Sequence, residues 1–423
     1  VSESSSLSEW LARIERRHPP SAIALGLDRV REVAARMRLG APARRTIVVA
    51  GTNGKGSTVA FVEAIARAAG WKVGAYTSPH LLRYNERVRI DGAEADDDAL
   101  AAAFAAVEAA RGDAELTYFE HGTLAALWLF AQAGLDLAVL EIGLGGRLDA
   151  VNIVDADVAV ITTVDIDHTE WLGPDRESIG AEKAGVIRAW KPVVLGEIDP
   201  PSSVLRRAYA LGANAIRAGS DYFHEPIDAA HWRWRDVSFR LDLPMPALRA
   251  PVQLANAAAA IAALRALGRP VPHAAWAAGV VRARLPGRLQ RFERDGVEIL
   301  LDVGHNPQAA RELATALRAA PAAGRTLAVY AALADKDAGG VVAALQAQVD
   351  RWHLAGLGGA RGQSAAALRE RLAATGAAAG ALHAGVGEAL AAALAEAAPG
   401  QRVLVFGSFH TVAEALPLLR SAG

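Results

Sequence analysis

The chain has 423 residues, enough for two or three domains with a large core. Apolar residues at 52% and charged residues at 22% exclude a collagen-like or mainly disordered chain, and a formal net charge of −1 gives no field to grip a nucleic-acid polyanion or an anionic membrane. Any anionic ligand must be held locally. With no cysteine present, disulfides, thiolate nucleophiles and Cys-ligated metals are excluded, and a metal must sit on oxygen or nitrogen.

Charged residues, Gly or Pro interrupt every Ala-rich run before the roughly 18 apolar residues that a membrane span needs. Val1–Ser6 has neither a basic start nor an apolar stretch, so no secretory signal is expected and the cytoplasm is the expected location. Short β-branched or apolar runs alternating with longer Ala/Leu/Glu/Arg segments predict an α/β fold built on mainly parallel strands. Strands are predicted at Thr46–Ala50, Val73–Tyr76, Leu137–Glu141, Val158–Thr162 and Pro192–Leu195, and helices at Thr58–Ala69 and Ala99–Ala110. From His231 to Leu243 the pattern becomes alternating, which predicts an antiparallel hairpin with one wet face. Its Arg/Trp alternation also suits a stacking platform for single-stranded nucleic acid, but the neutral charge balance favours a solvated strand face. Leu285-Pro-Gly287 then punctuates the chain. We place a first domain at residues 1–285, a linker at 286–296 and a smaller α/β domain at 297–423. The second has predicted strands at Val297–Leu301, Thr326–Tyr330 and Arg402–Phe406, and helices at Gln308–Ala319 and Ala389–Ala398.

The strongest local signal is Gly51-Thr-Asn-Gly-Lys-Gly-Ser57, after a strand and opening a helix. In such a loop glycines let backbone N–H groups turn onto phosphate oxygens, the helix N-terminus adds partial positive charge, and Lys55 supplies a full one. Its spacing departs from G-x-x-x-x-G-K-[ST], and the plainer reading is a Gly-rich turn capping a helix. A second cluster, Glu141-Ile-Gly-Leu-Gly-Gly-Arg-Leu-Asp149, does not fit G-x-G-x-x-G, so no dinucleotide cofactor is expected. Glu141 ends a strand at the edge where α/β proteins bind ligands, a position suited to a magnesium ligand or simply to a solvated carboxylate. His168, in Asp165-Ile-Asp-His168, also follows a strand. An unmodified Lys183 is cationic and cannot ligate magnesium, so from its own chemistry it is a surface helix residue.

Taken together and in order, several segments resemble the bacterial bifunctional dihydrofolate synthase/folylpolyglutamate synthase family. They are the loop to Ser57, Thr77-Ser-Pro-His-Leu-Leu-Arg-Tyr-Asn-Glu-Arg-Val-Arg-Ile90, Thr117-Tyr-Phe-Glu120, Glu141 to Asp149, Asp167-His168, Glu182-Lys-Ala-Gly185, Leu285-Pro-Gly-Arg288, Asp302-Val-Gly-His-Asn-Pro307 and Gly407-Ser-Phe-His-Thr411. The match runs from about Gly26 to Val412. It implies a Mur-ligase-like ATPase domain with a P-loop, followed by a smaller Rossmann-like domain.

The resemblance also implies the chemistry: ATP phosphorylates the pteroate or folate carboxyl, and the amine of L-glutamate attacks the acyl phosphate. Such a step needs positioning and charge neutralisation more than a protein nucleophile. On this likeness Asn53, Gly54, Lys55, Gly56 and Ser57 cradle the ATP phosphates, Ser78 and Glu141 hold one Mg2+, and His168 holds a second. Lys183 resembles the family's carbamylated lysine, which would turn an ammonium into an oxygen donor. Asn256, Arg288 and Asp302 resemble nucleotide-binding positions. Gly26, Leu27, Asp28 and Arg29 with Thr117, Tyr118, Phe119 and Glu120 resemble pterin- or folate-binding segments, and Leu148, Asp149 and Ala150 the dihydropteroate contact. His305, Ser408 and His410 are candidates for the glutamate site. Departures are His121, where an aromatic or small residue is expected, and the acidic Asp165-Ile-Asp167. The implied partners are dihydropteroate, reduced folates and L-glutamate, with no nucleic acid or membrane and a monomeric chain. A cell-wall Mur ligase and a nucleotide-dependent switch without ligase activity are the rival readings.

Overall fold

In the computed structural model, residues 5–19 and 24–420 are described; Val1–Ser4, part of the segment read for a secretory signal, lie outside them. The chain forms two compact units, the first running to Ala247 and resuming over Gln253–Arg284, the second comprising Leu248–Val252 and the chain from Leu285.

The first unit is built on β1 (Arg45–Ala50), β2 (Val73–Tyr76), β3 (Val88–Ile90), β4 (Ala93–Glu94), β5 (Leu137–Glu141), β6 (Val158–Ile161), β7 (Pro192–Leu195) and β8 (Asn214–Arg217). They lie in the order β4-β3-β2-β5-β1-β6-β7-β8, parallel from β2 to β8, with β3 and β4 antiparallel at one edge. Ile47, Val48, Val49 and Ala50 are all buried, as a central strand covered on both faces requires. Because β1 sits between β5 and β6, the loops leaving all three open at the same carboxyl edge, the ligand crevice of open α/β sheets.

The helix after β1 is Lys55–Ala68, so Lys55, Gly56 and Ser57 form its first turn, three residues earlier than predicted. Val59, Phe61, Val62 and Ile65 are fully enclosed. Each such side chain contributes roughly 1.5–3 kcal/mol by leaving water. The His273–Arg282 helix lies directly against it: a Cβ on Gly279 would come within 2.3 Å of Ile65 Cα.

The predicted hairpin is β10 (His231–Asp236) with β11 (Arg240–Pro244), joined on its other side by β9 (Tyr222–Pro226), which the sequence reading missed. The expected solvated face is the arginine face only. Trp232 and Trp234 are core residues whose indole N–H groups donate to Pro244 O and Ala258 O, so their rings offer no stacking platform.

The second unit holds β12 (Gln290–Arg294), β13 (Val297–Asp302), β14 (Thr326–Tyr330), β15 (Arg351–Ala355), β16 (Ala381–His383) and β17 (Arg402–Phe406), in the order β12-β13-β17-β14-β15-β16. All neighbours are parallel except β12, which pairs antiparallel with β13, so five of the eleven residues of the expected linker at 286–296 are sheet. Leu313, Leu317, Tyr330 and Phe406 centre its core, with the last two rings stacked at 4.8 Å. Among the described residues no helix is long and apolar enough to cross a membrane.

Candidate active site

The phosphate-type loop is fixed before any ligand arrives. Gly51 (φ +149°) and Gly54 (φ +86°) hold backbone angles that a side chain resists, and a Cβ would fall 1.9 Å from Thr162 Oγ1 and 2.4 Å from Asn256 Oδ1 respectively. The residues after β6 tie the loop down. Thr52 N donates to Thr163 O at 2.8 Å, Asn53 N to Thr163 Oγ1 at 3.1 Å, and Thr162 Oγ1 to Asn53 O at 2.6 Å. Lys55 Nζ folds back onto Gly51 O and Thr52 O at 3.0 and 3.1 Å, so the ammonium stands at the mouth of its own loop. Gly54 caps the helix, and the buried Ser57 lies in its first turn.

Beside the loop, parallel pairing of β2 with β5 sets the ends of both strands together, and Ser78 N donates to Glu141 Oε2 at 3.0 Å. His168 has left-handed backbone angles, donates its N–H to Asp167 Oδ1 at 2.8 Å and keeps Nε2 3.9 Å from the same oxygen. Lys183 is not the surface residue that its own chemistry suggested: it is 3% exposed. Two glycines explain why. A Cβ on Gly146 would meet Glu182 O at 2.9 Å and Lys183 Cα at 3.1 Å, and one on Gly185 would meet Arg147 Cα at 2.4 Å. The loop after β5 therefore lies main chain to main chain against the end of the Arg176–Lys183 helix, clasped by Arg147 N to Glu182 O at 2.9 Å and an Arg147–Glu182 ion pair at 2.8 Å. Burial first, and then the nearby Lys55 ammonium, pull the Lys183 amine down to about 7, against the pull of Asp167 and Glu197.

Glu197, just beyond β7, was missed by the sequence reading. Its carboxylate accepts Val164 N at 3.1 Å and pairs with Arg176 at 3.2 Å, and burial raises it to about 7. The available signal was its place after a predicted strand, the argument already used for Glu141. Among the described residues no three His, Asp or Glu side chains are close enough to hold a metal ion. Magnesium asks for less, since it keeps several waters and is bound by one or two carboxylates plus substrate phosphates.

The segments Gly26–Arg29 and Thr117–Glu120 are brought together by a two-pronged ion pair, Arg29 Nε to Glu120 Oε2 at 2.8 Å and Arg29 Nη2 to Oε1 at 2.7 Å. Glu120 also accepts Thr117 N, closing the cap of the Tyr118–Gln132 helix. Leu27 is buried and Asp28 exposed. Phe119 lies over Gly143, where a Cβ would meet its ring at 2.6 Å, and stands 6.1 Å from the Tyr76 ring. His121 points the other way, packing on Phe104 with Nε2 3.3 Å from Phe104 O, and burial lowers it to about 4.

Asp149 caps a turn: Oδ1 accepts Val151 N at 3.0 Å and Oδ2 accepts Leu144 N at 2.9 Å, at the start of the short helix Ala150–Ile153. Burial raises it to about 7. Leu148, half-buried, and Ala150, buried, flank it.

Asn256 is buried in the first unit, where Nδ2 donates to Gln253 Oε1 at 3.0 Å while Oδ1 faces Gly54. Arg288 and Asp302 belong to the second unit. Asp302 accepts Leu289 N at 2.8 Å and Gly304 N at 2.7 Å, and Arg288 lies 5.1 Å over the Phe409 ring. His305 is 6.4 Å from that ring, Ser408 caps toward Thr411 N at 3.0 Å, and His410 is exposed.

Comparison with known proteins agrees with this layout. Residues 49–264 match the Mur ligase middle domain, and 287–409 match the Mur ligase glutamate ligase domain. The chain is 48% identical to the dihydrofolate synthase/folylpolyglutamate synthase of Escherichia coli, over 99% of this chain and 97% of that protein, and 43% identical to its Haemophilus influenzae counterpart over 97% of each. Among solved structures, E. coli FolC in complex with DHPP and ADP superposes with a TM-score of 0.93 at 47% identity, covering 99% of both chains. A bifunctional folylpolyglutamate synthase/dihydrofolate synthase with Mn, AMPPNP and L-glutamate bound gives 0.91 at 46% identity, covering 99% of this chain and 98% of that one. With both ligase domains matched in order and near-complete coverage on each side, the chain belongs to the dihydrofolate synthase/folylpolyglutamate synthase family of Mur ligases.

Proposed function

We propose that this chain is an ATP- and Mg2+-dependent amide ligase that joins L-glutamate to dihydropteroate and to reduced folates. The observation that carries the reading is the carboxyl edge of the first sheet. There a preformed phosphate-type loop, the Ser78–Glu141 pair and a buried lysine near neutrality meet. When bound, the nucleotide supplies the phosphoryl group that activates the substrate carboxyl, and magnesium neutralises its phosphate oxygens. The chain's own residues do the positioning. Gly51 and Gly54 let the loop close against Thr162 and Asn256, the Lys55–Ala68 helix offers its N-terminus to phosphate oxygens, and Lys55 adds a fixed charge. Ser78 and Glu141 fit one metal, and His168 with Lys183 a second. Carbamylation suits Lys183 because part of its amine is unprotonated near neutral pH. The nitrogen adds to the carbon of CO2, one C=O electron pair moves to oxygen and a proton leaves to water. An anion then replaces the ammonium that the Lys55 charge opposes.

Arg29 and Glu120 join the two segments assigned to the pterin or folate, and Phe119 presents an aromatic face over Gly143. Asn256, Arg288 and Asp302 are assigned to the nucleotide by resemblance. The reading takes small molecules as partners and the chain as a cytoplasmic monomer. A phosphate-release assay tests it. Release is expected only with ATP, L-glutamate and either dihydropteroate or tetrahydrofolate together. Release with UDP-linked peptide substrates instead would favour a cell-wall ligase, and release without any acceptor would favour a nucleotide switch.

A further inference from the structure

Arg87 is 8% exposed, yet among the described residues its guanidinium forms no ion pair. Its Nε donates to His80 Nδ1 at 2.8 Å, and its central carbon sits 5.2 Å from the Tyr84 ring centroid and 5.6 Å from that of Tyr118. These contacts occupy Nε and the flat faces. The terminal nitrogens donate to no described residue, and they are not among the sealed buried atoms that lack a partner, so they keep a small accessible surface. A guanidinium keeps its charge, and burying that charge without an acceptor is costly, so a ligand acceptor that displaced water from these nitrogens would find two donors already held in place.

Its surroundings say which ligand. Arg87 O accepts Thr77 N at 2.9 Å, and the next residue, Ser78, contacts Glu141. Tyr118 belongs to the segment assigned to the pterin, and Tyr76 lies within electrostatic reach of both Arg87 and Asp149 while its ring neighbours Phe119. The substrate's bicyclic ring is flat, with amino and N–H donors on one side and a ring carbonyl and nitrogen acceptors on the other. A forked donor among aromatic rings matches the acceptor side.

Resting on the folate-ligase reading above, we propose that Arg87 is a further specificity-determining residue, which donates its terminal N–H groups to the ring-carbonyl edge of the pterin. The test uses the full chain with dihydropteroate, its 4-amino analogue (the ring carbonyl replaced by an amino group), ATP and glutamate. Wild type should discriminate against the analogue, since two donors would then face each other. Arg87→Met should raise KM for dihydropteroate about 10- to 100-fold and abolish that discrimination, while Arg87→Lys should recover part of the loss. KM for ATP and the melting temperature should hold. Equal handling of both pterins by the wild type would overturn the proposal without any variant. So would a lower melting temperature with both KM values rising together, the mark of a brace between Tyr84 and Tyr118. Phosphate release by wild type that needs no pterin would instead overturn the ligase reading itself, and this proposal with it.

Discussion

Replacing Gly54 by Ala adds one carbon where the fold leaves no space for it. The backbone there has φ +86°, and the new Cβ would lie 2.4 Å from Asn256 Oδ1. A side chain in left-handed geometry costs about 1–2 kcal/mol. To clear the overlap Asn256 must swing away and give up its bond to Gln253 Oε1, worth about 1 kcal/mol. The loop can relieve this strain only by leaving the shape that presents its N–H groups, and nucleotide binding must then restore that shape. ATP affinity, measured by calorimetry with magnesium, should fall about 10- to 100-fold, each 1.4 kcal/mol being a factor of ten. Asn256→Ala removes the obstructing amide, so in the double variant the collision part should disappear and the two changes should be non-additive by about 1 kcal/mol. Wild-type ATP affinity and melting temperature in Gly54→Ala would refute the argument. Strict additivity would refute the role given to Asn256.

Lys55→Ala should abolish ligation with little change in circular dichroism or melting temperature, because it removes a loop-mouth charge and no core packing; turnover in the folded variant would remove Lys55 from the site. The Lys183 amine is lowered from 10.5 to about 7, so between those values the unfolded chain holds a proton that the fold does not, and this group makes stability rise with pH across that window. Lys183→Met, inactive, should therefore melt higher than wild type below pH 7, the gap closing toward pH 10, in metal-free buffer; added bicarbonate should raise wild type only. Asp149→Ala should lower the melting temperature by freeing the Leu144 and Val151 amides, at about 1–3 kcal/mol, as well as reduce dihydropteroate turnover. Lost turnover at an unchanged melting temperature would refute the capping contribution and leave a direct ligand role.

The strands that carry the site were legible because each is a short apolar run followed by a polar or glycine-rich turn, as at Ile47–Ala50 and Leu137–Glu141. What defeated the reading depends on distant neighbours. Lys183 is buried by Gly146, far back in the chain, and nothing in Glu182-Lys-Ala-Gly185 itself reveals that contact. Strand β16 has three residues and β15 carries Arg351 and His353, so neither shows the apolar run that marks β14. Strand β12 alternates between polar residues because it is an antiparallel edge, and a nearby Pro-Gly turn made it resemble a linker. Asp149 shows what the local sequence did carry. An Asp before a short helix is a capping signal, and both of its oxygens serve that purpose.

The contact between the loop after β5 and the Arg176–Lys183 helix joins two main chains with no side chain between them. Rotamers cannot absorb a shift there, so the spacing from the end of β5 to Lys183 is set by covalent dimensions and the two segments should move as a single body. The Arg147 amide, bonded to Glu182 O, reports on that unit. Its hydrogen exchange should follow that of the core strands rather than that of a surface loop. The same stiffness means that a larger residue at position 146 or 185 would displace the lysine as a whole, and a compensating change elsewhere in the loop could not return it.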